Sequence, residues 1–247
     1  MLRSKRLSRN ICLVLSFCII TAAMSFMPST KAHASSADPN VQLDYVQKYD
    51  LGEASNYGYD GYVGYIDVKN LAYEKNVTVH YTTDGKSWQD ISAEYIKADP
   101  EDPQYDVWKF SMAIPSSSLT FAIKYEVNGQ TYWDNNEWNN YTVSPTAPII
   151  LGKCVLKTVK ISENAPAVIL LKNLAYEKMV FINYTTDNWA TSNSVDANYE
   201  KSLSENIEQW KIPSSIPHGS NVKFTVTYMV NNVAYFDNNF GDYYTNY

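Results

Sequence analysis

The string KNLAYEK occurs twice, at residues 69–75 and again at 172–178, an offset of 103. The match does not stop there. Val77-Thr78-Val79 and Tyr81-Thr82-Thr83-Asp84 meet Val180-Phe181-Ile182 and Tyr184-Thr185-Thr186-Asp187. Trp88 meets Trp189 and Trp108 meets Trp210 after small gaps. The offset of 103 then returns, taking Phe121 to Phe224, Tyr125 to Tyr228, and Tyr132–Asn136 to Tyr235–Asn239, with Tyr141 and Tyr244 closing each unit. Ordered similarity at a fixed period means one structural unit used twice. Ser144-Pro145-Thr146-Ala147-Pro148 separates the units, because proline ends a strand. The expected organisation is a first module at 41–144, a stiff linker at 145–148 that limits relative orientations, and a second module at 149–247.

Within each unit the side chains alternate with period two. Phe121, Ile123, Tyr125 and Val127 fall on one face, with Ala122, Lys124 and Glu126 on the other; Phe224, Val226, Tyr228 and Val230 repeat the pattern. Strict alternation marks strands with one buried face. Asn128-Gly129 between two such runs is a strong two-residue hairpin signal, and Asn231-Asn232 replaces it in the second unit. The 21 tyrosines add strand propensity, and no long segment shows a helical period. The fold class is all-β: two tandem immunoglobulin-like antiparallel β-sandwich domains of seven or eight short strands each.

Residues 1–34 read as an export leader. Arg3, Lys5, Arg6 and Arg9 precede an apolar run from Ile11 to Met27, and Ala32-His33-Ala34 supplies a small-x-small cleavage signal after Ala34. The expected location is extracellular, with no membrane anchorage once the leader is removed, since the apolar run is short for a span. The other 213 residues carry 15 Lys and Arg against all 26 Asp and Glu, a net −11. Such an acidic surface argues against nucleic acid and anionic lipid as partners. Cys154 is the one cysteine outside the leader, so the sandwiches must stand without an internal disulfide; a small buried apolar role suits it.

Several polar and aromatic residues recur where packing alone imposes little choice. Asp134-Asn135-Asn136 and Asp237-Asn238-Asn239 follow the hairpins. Such residues favour turns, and clustered amides also match the vicinal hydroxyls of a sugar. Trp133 and Phe236 beside them offer apolar plates. In KNLAYEK, Leu71 and Leu174 are expected as buried anchors, whereas Lys75 and Lys178 suit either solvent or a ligand. Trp108 and Trp210 fall in strands and are expected in the core.

These motifs together resemble the family 21 carbohydrate-binding modules, in the run Val68–Lys75, the Trp after the Thr-Thr-Asp turn, Phe121–Asn136, and the closing Asn140-Tyr141. The first copy fits closely and the second more loosely. The resemblance implies a β-sandwich with two sites for α-1,4-linked glucans such as starch, glycogen or maltooligosaccharides. It implies one site of Trp88 and Trp133 with Lys124, Asn135 and Asn140, and another of Tyr73, Tyr95 and Tyr105 with Asn70 and Lys75. In the second copy the implied residues are Trp189, Phe236 and Asn238, and Tyr176, Tyr199, Asn173 and Lys178. Ala122 and Thr225 stand where the family often has a further aromatic, and Trp138 is the candidate replacement plate in copy one. Thr227 and Tyr243 replace Lys124 and Asn140, which weakens the first site of copy two.

Chemistry beyond binding has little support. No HExxH, GxSxG or CxxC occurs. Asp134 with Glu137 is the nearest carboxylate pair for a glycosidase, but Phe240 replaces Glu137 in the second copy. The Asp-Asn clusters match no EF-hand spacing. No catalytic residue, metal or cofactor is expected. The function implied is non-catalytic binding of α-1,4-glucans, and a secreted amylolytic enzyme is a compatible partner. The alternative is an extracellular interaction or matrix protein that uses the same fold on another glycan or a protein. Intracellular phosphatase targeting, known in part of the family, conflicts with the leader.

Overall fold

The computed structural model describes residues 39–246 apart from Glu163, Asn164 and Glu205; the expected leader and its expected cleavage point lie outside the described residues. The first module contributes β1 (Val41–Tyr49), β2 (Asp60–Lys69), β3 (Lys75–Thr82), β4 (Gln89–Ser92), β5 (Glu94–Ala98), β6 (Tyr105–Ile114), β7 (Leu119–Val127), β8 (Gln130–Asp134) and β9 (Tyr141–Val143). β10 (Ile149–Leu151) follows the linker. The second module contributes β11 (Leu156–Val159), β12 (Val168–Lys172), β13 (Lys178–Thr185), β14 (Asn193–Asp196), β15 (Asn198–Ser202), β16 (Ile207–Lys211), β17 (Gly219–Val230), β18 (Val233–Asp237) and β19 (Tyr244–Asn246). Each module therefore has nine described strands, more than the period-two pattern suggested, because β4, β9, β14 and β19 are too short to show alternation.

Every ladder between these strands is antiparallel. Sheets ordered β10-β1-β2-β6-β5 and β4-β3-β7-β8 make the first module, with β9 also on β7. Sheets ordered β11-β12-β16-β15 and β14-β13-β17-β18 make the second, with β19 on β17. The alternating residues fill the space between facing sheets: Val77, Val79, Phe121, Ile123 and Tyr125 meet Leu43, Ile66 and Phe110. Val180, Ile182, Phe224, Val226 and Tyr228 meet Leu156, Ile169 and Leu171. Buried Tyr125 donates its hydroxyl to Lys69 O at 2.7 Å, and Tyr228 repeats this to Lys172 O at 3.1 Å. Both hairpins turn as their sequences require, with Asn128, Gly129, Asn231 and Asn232 all at positive φ.

The linker does more than restrict orientation. Residues 149–151, expected at the start of the second module, pair with β1 of the first through Tyr45–Leu151, Val46–Ile150 and Gln47–Ile149. Ile149, Leu151 and Tyr45 then form one apolar cluster with Val159, Val168 and Leu170. Tyr65 stacks on Tyr45 at 5.1 Å and on Phe240 at 5.3 Å, so rings from both modules interleave. Half-buried Cys154 packs here, and burial first, then the Asp44 charge, pushes its thiol well above the usual range. Gly152 closes the junction because a Cβ there would lie 2.2 Å from Leu43 O. Gly152→Ala should lower stability by about 1–3 kcal/mol through that backbone clash. An unchanged urea midpoint would contradict it.

Candidate carbohydrate-binding surfaces

The Thr-Thr-Asp turn is a device for holding up an indole. Asp84 accepts the N–H groups of Lys86 and Ser87, each at 2.8 Å, and the Thr82 hydroxyl at 2.9 Å. Those bonds, led by the Ser87 N–H, hold its carboxyl well below the usual range. In the second module Thr191 bonds to Asp187 through its hydroxyl at 2.7 Å and its N–H at 2.9 Å, lowering that carboxyl to about 2. Trp88 and Trp189 leave these turns and reach the outer faces of their sheets.

Across the sheet from Trp88, Trp133 projects from β8 opposite Lys124. Both indoles are exposed. His80 on β3 lies between them, stacked on Trp88 (4.7 Å, 11°) and edge-on to Trp133 (5.9 Å, 78°). The two indoles are thus nearly perpendicular, a V whose two arms the imidazole touches. Lys124 pairs with Asp90 at 3.8 Å and Glu126 at 3.3 Å, so its ammonium borders the V while already neutralised.

The rim of the V is the turn after β8. Asn136, Glu137, Trp138 and Asn140 all have positive φ, a conformation for which asparagine is suited. Asn135 Oδ1 accepts the Trp138 N–H at 3.1 Å, and the Asn136 amide donates to Asn140 O at 3.0 Å. The turn therefore uses the carbonyl of Asn135, and its NH2 donates to no described residue. Asp134 lies inside, taking the Leu43 N–H at 2.6 Å and both-oxygen contacts from the Tyr141 hydroxyl at 2.9 Å. It is a tether, which is why aspartate recurs there. Trp138 stands 89% exposed on the turn.

In the second module Asn238 and Gly241 repeat the turn bond at 2.9 Å. Phe236 is exposed, but half-buried Trp189 leans on Tyr243 at 5.0 Å. Tyr243, which replaces Asn140, thus supplies the ring that His80 supplies in module one. Thr227, which replaces Lys124, is buried and accepts the Asn183 amide at 3.3 Å.

The second pair of surfaces lies at the β2–β3 and β12–β13 connections. Tyr73 and Tyr176 are each 92% exposed, the most open tyrosines described in the chain. Tyr95 and Tyr199 are half open and rest edge-on against Trp108 and Trp210 at 5.9 and 5.7 Å. Trp108 is buried as expected; Trp210 is half-buried, its N–H donating to Glu208 at 3.0 Å.

Three expectations are corrected here. Tyr105 is no platform: it is 2% exposed and donates its hydroxyl to Pro39 O at 2.8 Å. Lys75 and Lys178 are not solvated; each is buried against a carboxylate, Asp106 and Glu208, and donates to the side-chain carbonyl of Asn70 or Asn173. They position those amides and do not face a ligand. Leu71 and Leu174 are exposed, not anchors; the Tyr125 and Tyr228 hydroxyls do the anchoring.

The sequence model of the Carbohydrate/starch-binding module (family 21) matches residues 38–144 and again 146–246. The chain belongs to this family. Glucoamylase 1 of Rhizopus oryzae is 39% identical over 145 residues, covering 56% of this chain and 22% of the enzyme. Protein phosphatase 1 regulatory subunit 3B of Homo sapiens is 37% identical over 86 residues, covering 32% of this chain and 30% of the subunit. The chain thus spans less than a third of these relatives. Among solved structures, the starch-binding domain of the Rhizopus oryzae glucoamylase, in complex with β-cyclodextrin and maltoheptaose, is 34% identical. That match covers 45% of this chain and 99% of the domain, with a TM-score of 0.37. As two family 21 modules, the described residues contain no cluster of three or more His, Cys, Asp or Glu placed to hold a metal, and no helix long and apolar enough to cross a membrane.

Proposed function

We propose that this chain is an exported, non-catalytic binder of α-1,4-linked glucans. The observation that carries it is the perpendicular pair of exposed indoles, Trp88 and Trp133, flanked by an asparagine turn and accompanied by two fully open tyrosines, Tyr73 and Tyr176. Large apolar rings have no folding reason to stand in water at matched positions of two modules, and a sugar's C–H face gives them one. The family match supports the glucan part of the reading, and the leader-like pattern of residues 1–34 the export part. Each surface is shallow, so single-site affinity is modest. Two modules on one polymer raise the effective concentration at the second contact.

Affinity electrophoresis through gels containing starch, glycogen or a soluble cellulose tests this. The protein should be retarded by the first two only. Trp133→Ala should weaken retention about tenfold, the loss of an anchoring ring. Trp88→Ala/Trp133→Ala/Tyr73→Ala/Tyr176→Ala should run as in a plain gel. Equal retardation by cellulose, or none by starch, would replace the proposal with a different glycan or a protein partner. Release of reducing sugar from starch over time would contradict the non-catalytic part.

A further inference from the structure

We propose that His80 is a glucan-contacting residue, which hydrogen-bonds a sugar hydroxyl through Nε2 from its place between Trp88 and Trp133. The inference rests on the reading that this V binds glucan, and it adds a polar contact that belongs to the first module alone.

The register places His80 at the centre of a cross-sheet row. On β4 its partner is Asp90, and on β7 its partner is Ala122. An alanine there is the smallest side chain that can share the outer face, and it leaves room for an imidazole to lie flat against Trp88. Asp90 fixes the ring's rotation: Nδ1 and Asp90 Oδ1 are 2.5 Å apart. A carboxylate accepts only, so Nδ1 carries the proton. Nε2 makes no hydrogen bond to any described residue, and the His80 side chain keeps 35% of its surface open. An aromatic nitrogen held by a carboxylate and two indoles, and left open at its other end, is a preorganised hydrogen-bonding group.

The charged groups around it are Asp90 on β4 and Lys124 and Glu126 on β7, already paired with one another. With Nδ1–H on Asp90, neutral Nε2 accepts from a hydroxyl. Protonated, it donates. A sugar hydroxyl serves either state, so the contact changes direction without being lost. In the second module the equivalent row is Ser194, Asn183 and Thr225, and the Asn183 amide is spent on Thr227. That module props its tryptophan with Tyr243 and has an amide, already bonded to Thr227, where the first has an imidazole.

The experiment is a titration of the full chain with maltoheptaose, followed by the side-chain 15N resonances of its histidines. His80 and His218 are the only histidines outside residues 1–34, so His218 is the internal reference. The His80 Nε2 resonance should shift on saturation while its Nδ1 and both His218 nitrogens hold still. In a Tyr73→Ala/Tyr176→Ala/Trp189→Ala background, His80→Phe keeps a flat ring on Trp88 but should weaken binding about three- to tenfold, one hydrogen bond. A wild type that binds maltoheptaose with an unmoved His80 Nε2, or a His80→Phe variant of full affinity, overturns the inference and spares the platform. A wild type that binds no α-glucan overturns both.

Discussion

Asp237→Ala is expected to lower folding stability by about 3–5 kcal/mol, the range for stranding one member of a buried ion pair. Asp237 is 5% exposed and holds several partners, the Asn239 N–H at 3.3 Å among them. It accepts the Thr158 N–H at 2.5 Å, takes the Tyr244 hydroxyl on both oxygens at 2.9 Å, and faces Lys157 Nζ at 3.4 Å. Lys157 is as deeply placed, 4.0 Å from the Phe240 ring centre. Burial disfavours its charge, but Asp237 first and Asp44 next outweigh this and hold the ammonium above its usual range. Alanine would leave that ammonium with Asp44 as its chief countercharge. Asp134 supplies the control. It makes the same strand and tyrosine contacts in module one, and among the described residues no lysine pairs with it. Asp134→Ala should therefore lower stability by about 1–3 kcal/mol, the loss of part-buried hydrogen bonds alone. Urea unfolding at neutral pH measures both. Equal losses would mean the lysine contributes nothing to the difference between the copies.

That difference shows where the sequence was legible. The repeat, the strand faces and the hairpins could be read because each depends on neighbours along the chain: period two, a turn dipeptide, an offset of 103. The exposed plates could be read because an aromatic in a polar turn has no local packing role. What escaped depends on partners far apart in sequence. Tyr105 looks like any other strand tyrosine until Pro39 takes its hydroxyl from 66 residues away. Lys75 looks solvated until Asp106 arrives across the sheet. His80 looks like a scattered surface histidine because neither Trp133 nor Ala122 is near it in sequence. Alternation puts His80 on the outer face, but its place opposite Ala122 comes from the pairing of β3 with β7, which no local pattern gives. The junction was the least legible part. Phe240 read only as a broken carboxylate pair, but it is the ring on which Tyr65 and Lys157 converge.

The same junction gives the chain a pH dependence with a definite sign. Asp44, on β1, is buried among Asp67, Asp237, Lys153 and Lys157. Burial first, then the Asp67 charge, raises its carboxyl to about 7, against the pull of Lys157 and Lys153. The folded chain therefore keeps a proton that the unfolded chain releases near pH 4. Its contribution is fully present below about pH 4, falls as pH rises through 7, and above that is an unfavourable constant of order 4 kcal/mol. Asparagine has the shape of the protonated acid and nothing to ionise. Asp44→Asn should match or trail the wild type near pH 4.5 and exceed it by about 2–4 kcal/mol at pH 8.5. The gain should open chiefly between pH 5 and 7. The carboxyls lowered by their turns, Asp84 and Asp187, act only at more acidic pH and act equally in both proteins, so they cancel from the comparison. Parallel stability curves for the two proteins would show that Asp44 ionises in the folded chain as freely as in water. Divergence of the expected sign would locate a titrating group where β1 meets the first residues of the second module, since Gly152 N–H donates to Asp44 O at 2.9 Å beside it. Ionising Asp44 should then strain the β1–β10 contact that joins the modules, and with it the two faces proposed to bind glucan. Retention on a long polymer should weaken over the same pH range in the wild type and hold steady in Asp44→Asn.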